Sequence, residues 1–194
     1  MSKLVLIGGG GHCKSVLDAA LRMGIFQEIV ILDPGLHVGS IVMGCNVYGD
    51  DDKLDELRDK GFDNAFITVG CVGDTSLRRK LAEKADGYGF IYPCIIDPSA
   101  AVSEFAKIEH GVFVGKNTAI NAGAQIRKHA IINTGAIIEH DCHIGAFTHI
   151  AVGATVCGDC NIDEDVFIGA GATLIQGLRI EKKRFIKAGE VVIR

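Results

Sequence analysis

The sequence predicts an α/β, Rossmann-like domain with a parallel sheet over residues 1–90, followed by an all-β parallel β-helix of hexapeptide repeats over residues 91–194. Three observations predict it. Every sixth residue from Ile96 to Val192 is aliphatic, seventeen positions without a miss. A period of six fits neither the helical 3.6 nor the alternation of a flat strand, so this half must be a stack of repeats. Before residue 90, short apolar runs instead alternate with amphipathic stretches, the order of a small parallel sheet with right-handed crossovers. The pattern changes around Gly87 to Pro93 without a long linker, which sets the boundary near residue 90.

Leu4 to Ile7 reads as a strand, Gly8 to Gly11 as a turn, and Lys14 to Met23 as a helix with Val16, Leu17, Ala20 and Leu21 on one side, stopped by Gly24. A second strand, Ile29 to Leu32, ends at Asp33 and Pro34 and leads into a loop. Asp50, Asp51 and Asp52 then offer an N-cap and negative charge to a helix through Arg58. Ala65 to Val69 is a third strand closed by Gly70, and Asp74 to Ser76 caps a third helix through about Lys84.

In the hexads the residue four after each aliphatic is mostly small, as at Ala124, Ala130, Ala136, Cys142, Ala154 and Cys160, and glycine recurs just before it. Each hexad is then one short flat strand plus a corner, with the aliphatic side chain inward. Three hexads make a triangular coil, so residues 18 apart stack; at about 4.8 Å per coil the prism is on the order of 25 Å tall. Each added coil buries its aliphatic ring against the last.

Composition excludes several classes. A net charge of −4 and dispersed lysines and arginines provide no basic face for nucleic acid. No apolar run approaches the length of a membrane span, and Met1 to Leu6 is too short for a signal peptide. Seven cysteines, an odd number without a disulfide framework, fit a reducing compartment, so the expectation is a cytoplasmic protein. Cys157-Gly158-Asp159-Cys160 is a lone CxxC without a second pair, and no metal is expected.

Chemistry should reside where the repeat is broken by a polar, reactive group. His140 stands in Ile138-Glu139-His140-Asp141-Cys142. An imidazole can take the proton of an attacking amine or hydroxyl, and Asp141, at a corner, or Glu139 can orient it and raise its basicity. His149 lies half a coil on, placed to donate to a thioester carbonyl or to line the same groove. On spacing alone, the alternative that both histidines decorate a polar outer face is open. His110 and His129 are expected to be solvated. In the first half, Gly8 to Gly11 follows a strand and opens a helix, so its N–H groups can face phosphate oxygens; it is no dinucleotide fingerprint, because Cys13 occupies the last glycine position. The alternative is a tight turn and, for Asp33, a loop cap.

Taken together, Ile7-Gly8-Gly9-Gly10-Gly11-His12, Ile31-Leu32-Asp33, Thr68-Val69-Gly70, and Asn133-Thr134 followed by Ile138-Glu139-His140-Asp141-Cys142 resemble, in order and spacing, the sugar O-acyltransferases of the sialic-acid (NeuD) type and the nucleotide-amino-sugar N-acetyltransferases of the PglD type. The resemblance covers nearly the whole chain. It implies a left-handed β-helix, a homotrimer, and acetyl-CoA as co-substrate in the groove between prisms. It implies His140 as general base with Asp141 increasing its basicity, and contacts to acetyl-CoA from His149, Ala170 and Ala188. Gly10, Gly11, His12, Asp33, Pro34 and Gly70 would hold the nucleotide sugar, and Asn133 the sugar itself.

The function expected is direct acetyl transfer to a 4-amino group of a nucleotide-linked sugar. Sialic acid O-acetylation and a non-catalytic nucleotide-sugar-binding trimer are the alternatives. Two departures bear on the coenzyme. Many relatives continue into a Gly-x-Pro-Ala-Lys type segment where this sequence stops at Arg194, and Lys187 replaces a small residue before Ala188.

Overall fold

The computed structural model describes residues 2–194, in two compact units. The first runs to Gly70 and resumes over Ser76–Pro93; the second comprises Cys71–Thr75 and Cys94–Arg194.

In the first unit β1 (Ser2–Ile7) leads through α1 (Gly11–Met23) to β2 (Phe26–Leu32). A hairpin follows, β3 (Ile41–Val42) and β4 (Cys45–Gly49), where the sequence reads as loop. Its turn is Met43-Gly44 with both residues at positive φ, the two-residue geometry that matches strand twist, but with methionine where asparagine or aspartate would have signalled it. After a 3₁₀ turn at Asp51–Lys53 come α2 (Leu54–Asp59), β5 (Asn64–Ile67) and α3 (Ser76–Gly87). Asp50 caps the turn as expected, accepting from the Asp52 N–H at 3.1 Å.

The sheet order is β3-β4-β2-β1-β5, parallel except for the β3–β4 pair. The chain adds β2 and β4 on one side of β1 and then β5 on the other. The order therefore reverses between β1 and β5, and the carboxyl ends of such strands form a crevice. β1, the centre of this arrangement, is apolar over Leu4–Ile7 and fully buried there. α1 starts three residues before the predicted Lys14, at Gly11, because its first turn is set by the glycine turn rather than by a side-chain cap.

The second unit is the expected left-handed β-helix: seventeen two-residue strands from Ile95–Ile96 to Val191–Val192, in three parallel sheets of six, six and five strands. Register is 18 residues throughout, as in Ile120↔Ile138 and Ile126↔Ile144. The ladder residues lie in or against one interior cluster with Ala124, Cys142 and Cys160. From Gly111 onward each sixth residue is left-handed, and at seven of these corners it is not glycine: Asn117, His129, Asp141, Phe147, Asp159, Asp165 and Lys183. Aspartate and asparagine tolerate this region best.

The three faces differ outwardly. The first presents Ile95, Phe113, Ile131, His149, Phe167 and Phe185. The second presents Ala101, Ala119, Ile137, Thr155, Thr173 and Val191, with no charge. The third presents Lys107, Gln125, His143, Asn161 and Arg179. Cys71–Thr75 is fixed to this unit by Thr75 Oγ1 donating to Asp165 Oδ1 at 2.6 Å and by the Cys71 carbonyl, which accepts from His149. His129 corrects the sequence reading: it is buried, 4% exposed, stacked on Phe147 at 4.8 Å and edge-on to His110 at 5.4 Å. Phe147, one coil on, covers it.

Candidate active site

Six residues singled out in the first half, Gly10, Gly11, His12, Asp33, Pro34 and Gly70, line one pocket of about 690 Å³ at the carboxyl ends of β1, β2 and β5. The glycine turn divides in two. Gly8 has φ +110, and a Cβ there would meet Val69 Cγ2 at 2.6 Å; on Gly9 it would meet Leu36 Cδ1 at 2.4 Å. At Gly10 and Gly11 nothing lies within 4 Å, so their missing side chains leave the pocket open at the start of α1. Asp33 organises this turn: Oδ2 accepts from the Gly9 N–H at 2.6 Å and Oδ1 from the Gly35 N–H at 2.8 Å. Each carboxylate oxygen has a further lone pair, so loop capping leaves acceptor capacity toward the pocket. Cys13, at the missing third glycine, is fully buried, and burial pushes its thiol up to about 11, so it serves as a small apolar residue.

His140 and Asp141 occupy the corner between the second and third faces. Successive side chains on a strand point to opposite faces, but the left-handed corner at Asp141, φ +60, lets the two meet. His140 Nδ1 lies 2.9 Å from Asp141 Oδ2. A carboxylate only accepts, so Nδ1 carries the proton and Nε2 keeps the basic lone pair. Both side chains are more than half exposed. The hydrogen bond to Asp141 raises the imidazole above the usual histidine range; partial desolvation opposes it, and the charges of Asp141, Glu139 and Asp159 add to it.

His149 is 8% exposed on the first face. Its Nδ1 donates to the Cys71 carbonyl at 2.8 Å, which leaves Nε2 to accept from Asn133 Nδ2 at 3.4 Å. Asn133 is oriented in turn by its Oδ1, which accepts from the Thr134 N–H at 2.8 Å. His149 is thus tied to Asn133 and Cys71, with its ring donor already used. Ala170 and Ala188 are exposed and stack one coil apart at the corner between the first and second faces, the Gly189 N–H donating to the Ala170 carbonyl at 2.8 Å. Within one chain, therefore, Asn133, Ala170 and Ala188 lie at one edge of the uncharged second face and His140 and Asp141 at the other. Among the described residues no group of three or more His, Cys, Asp or Glu is placed to hold a metal ion, and no helix is long and apolar enough to cross a membrane.

Residues 3–85 match the PglD N-terminal domain family, and residues 106–138 match the hexapeptide repeat of succinyl-transferase. Perosamine N-acetyltransferase of Caulobacter crescentus, solved with CoA and GDP-perosamine, is 39% identical over 100% of this chain and 90% of that one, with a TM-score of 0.90. The acetyltransferase domain of PglB from Neisseria gonorrhoeae, solved with acetyl coenzyme A, is 36% identical over 98% of this chain and 90% of that one, with a TM-score of 0.91. WeeI from Acinetobacter baumannii, 19% identical with a TM-score of 0.73 over 100% of this chain and 97% of that one, shares the fold. The chain belongs to the NeuD/PglD-type sugar acetyltransferases.

For a member of this family, the structure adds roles that the sequence did not assign. Thr68 Oγ1 donates to the Gly8 carbonyl at 2.5 Å and holds the glycine turn against the end of β5. Lys80 and Lys84 on α3 line the pocket. Lys84 is braced by Asp51 at 3.0 Å and Asp52 at 2.5 Å, whereas Lys80 is exposed. A helix that follows the Gly70 turn and returns to the pocket was the available signal. Gly123 and Gly158, one coil below Asp141 and one coil above His140, touch the dyad.

Proposed function

We propose that the chain is an acetyl-CoA-dependent N-acetyltransferase acting on the 4-amino group of a nucleotide-linked amino sugar, by direct transfer with His140 as general base. The observation that carries this reading is the His140–Asp141 pair: Nδ1 is committed to the carboxylate, and the basic Nε2 lies on an exposed corner. The relatives with CoA and GDP-perosamine support the choice of acceptor and donor.

In the reaction the neutral sugar amine attacks the thioester carbonyl, forming the C–N bond. Nε2 takes the amine proton, and collapse of the tetrahedral intermediate breaks the C–S bond and expels CoA thiolate. Asp141 stabilises the imidazolium that forms. No acyl-enzyme is required. Gly10, Gly11, His12, Asp33, Pro34 and Gly70 hold the nucleotide; the N–H groups opening α1 and the Lys80 ammonium suit its phosphates. Asn133 serves the sugar. Ala170 and Ala188 let the pantetheine arm lie against the backbone, and His149 takes part through Asn133 and through its packing.

The enzyme works as a homotrimer. The uncharged second face separates the two halves of the site, and a second copy docked along it can set His140 of one chain against Ala170 and Ala188 of the next. All seven cysteines are unpaired thiols, which supports a reducing, cytoplasmic setting.

Release of CoA thiol from acetyl-CoA, measured with a panel of nucleotide-linked 4-amino sugars and with sialic acid, tests the reading. Turnover with an amino sugar is expected; turnover with sialic acid alone would make it an O-acetyltransferase. Nucleotide binding with every acceptor inert would make the protein a binding trimer. His140→Ala should lower turnover by about two to four orders of magnitude, and a nearly unchanged rate would remove the base assignment.

A further inference from the structure

The dyad is exposed, so packing within a core cannot fix its geometry. What confines it is the absence of two side chains. A Cβ on Gly158 would lie 2.6 Å from His140 Nε2, 2.7 Å from Cε1 and 3.1 Å from Cδ2. These distances locate Gly158 relative to the ring. Approach in the ring plane along the Nε2 lone pair would leave Cε1 and Cδ2 equally remote and clearly farther than Nε2, and approach in the plane to the Nε2–Cε1 edge would leave Cδ2 far behind; three similar distances put the glycine over the flat of the ring, with the lone pair clear. Below, a Cβ on Gly123 would meet Asp141 Oδ1 at 2.4 Å.

We infer that Gly158 is a positioning residue for the acetyl-transfer site: it walls one face of the His140 ring, as Gly123 walls Asp141 from the coil below, and so keeps the ring in register with the carboxylate. The inference rests on His140 being the base. The two glycines are not equivalent. Gly123 has φ +78 and is also needed for its corner, whereas Gly158 has an ordinary φ that alanine can adopt. The three atoms nearest to a Cβ at position 158 all belong to the His140 ring. The charged groups around the ring are Asp141, Glu139 and Asp159, and displacement by a methyl moves the imidazole off the Asp141 oxygen that most increases its basicity.

Gly158→Ala tests this. Expected are an unchanged melting temperature, KM values for both substrates close to wild type, and a kcat about 10- to 100-fold lower, the scale of a displacement of about 1 Å in a reacting group. The His140 proton NMR titration and the acid limb of kcat/KM should both move to lower pH. Wild-type kcat and titration in Gly158→Ala, with His140→Ala inactive, would overturn the positioning role; an active His140→Ala would instead overturn the base assignment. Should Gly158→Ala fail to fold, Gly158→Ala in the His140→Ala background decides. With the ring gone it should fold, and failure there would assign the glycine to the backbone and sink the proposal.

Discussion

A histidine at a prism corner is a good base only if something other than burial raises its affinity for protons. For His140 that is Asp141 at 2.9 Å, assisted by the charges of Glu139 and Asp159. The sign follows directly. A base works unprotonated, so a raised pKa places the acid limb of kcat/KM above the ordinary histidine value of about 6.5. In Asp141→Asn the carboxylate is lost while the corner conformation is kept, since asparagine also tolerates positive φ. The limb should move to lower pH, with a smaller loss of kcat than in His140→Ala. A limb that stays in place would mean that Glu139 and Asp159 alone set the basicity. At this scale the dyad was legible through the family resemblance, since spacing alone left an outer-face role open for both histidines. Gly158 and Gly123 were not: among 25 glycines, a one-letter code does not mark which face a functional side chain 18 residues away. For Asp33 a loop cap was one of the two readings the sequence offered; which N–H groups it caps, those of Gly9 and Gly35, depends on where the fold brings them.

The coil is the element that carries stability. Ile144 is fully buried, stacked between Ile126 and Ile162 in an interior with no polar alternative. Ile144→Ala should destabilise the chain by about 2 to 5 kcal/mol, the lost transfer energy plus the cavity left by a scaffold whose neighbouring coils cannot collapse into it. Urea unfolding measures this, and a cost under about 1 kcal/mol would mean that the coil relaxes freely around the gap. The ladder, its register and its corners were readable from seventeen aliphatic positions and the recurring glycines, because one period dictates all three. The elements that escaped lack a period. The β3–β4 hairpin has a two-residue strand and a methionine in its turn, and Cys71–Thr75 joins the β-helix through contacts such as those of the Cys71 carbonyl and the Thr75 hydroxyl, which no local pattern encodes. His129 was misread for a related reason: corner position implies exposure until the next coil supplies a phenylalanine.

For the whole molecule the decisive feature is that the residues of the proposed transfer site fall on two edges of one β-helix face. That face, from Ala101 to Val191, has only small, aliphatic or threonine side chains outward, whereas the third face carries Lys107, His143 and Arg179. Charged residues are depleted at the centre of protein interfaces, so this composition favours contact with another copy. A carboxylate placed at the centre of such a contact would be buried without a partner, at a cost of several kcal/mol. Thr155→Glu provides it, on a side chain that points outward and leaves the Val156 ladder position intact. Sedimentation should show a trimer for the wild type and a monomer for the variant, with thermal unfolding of each chain little changed. Because the pocket lined by Gly10, Asp33 and Gly70 lies wholly within the first unit, nucleotide binding should persist in the monomer while acetyl-CoA affinity and turnover fall together. A monomeric variant with full turnover would place the entire site within one chain, and a wild-type monomer would remove the groove altogether.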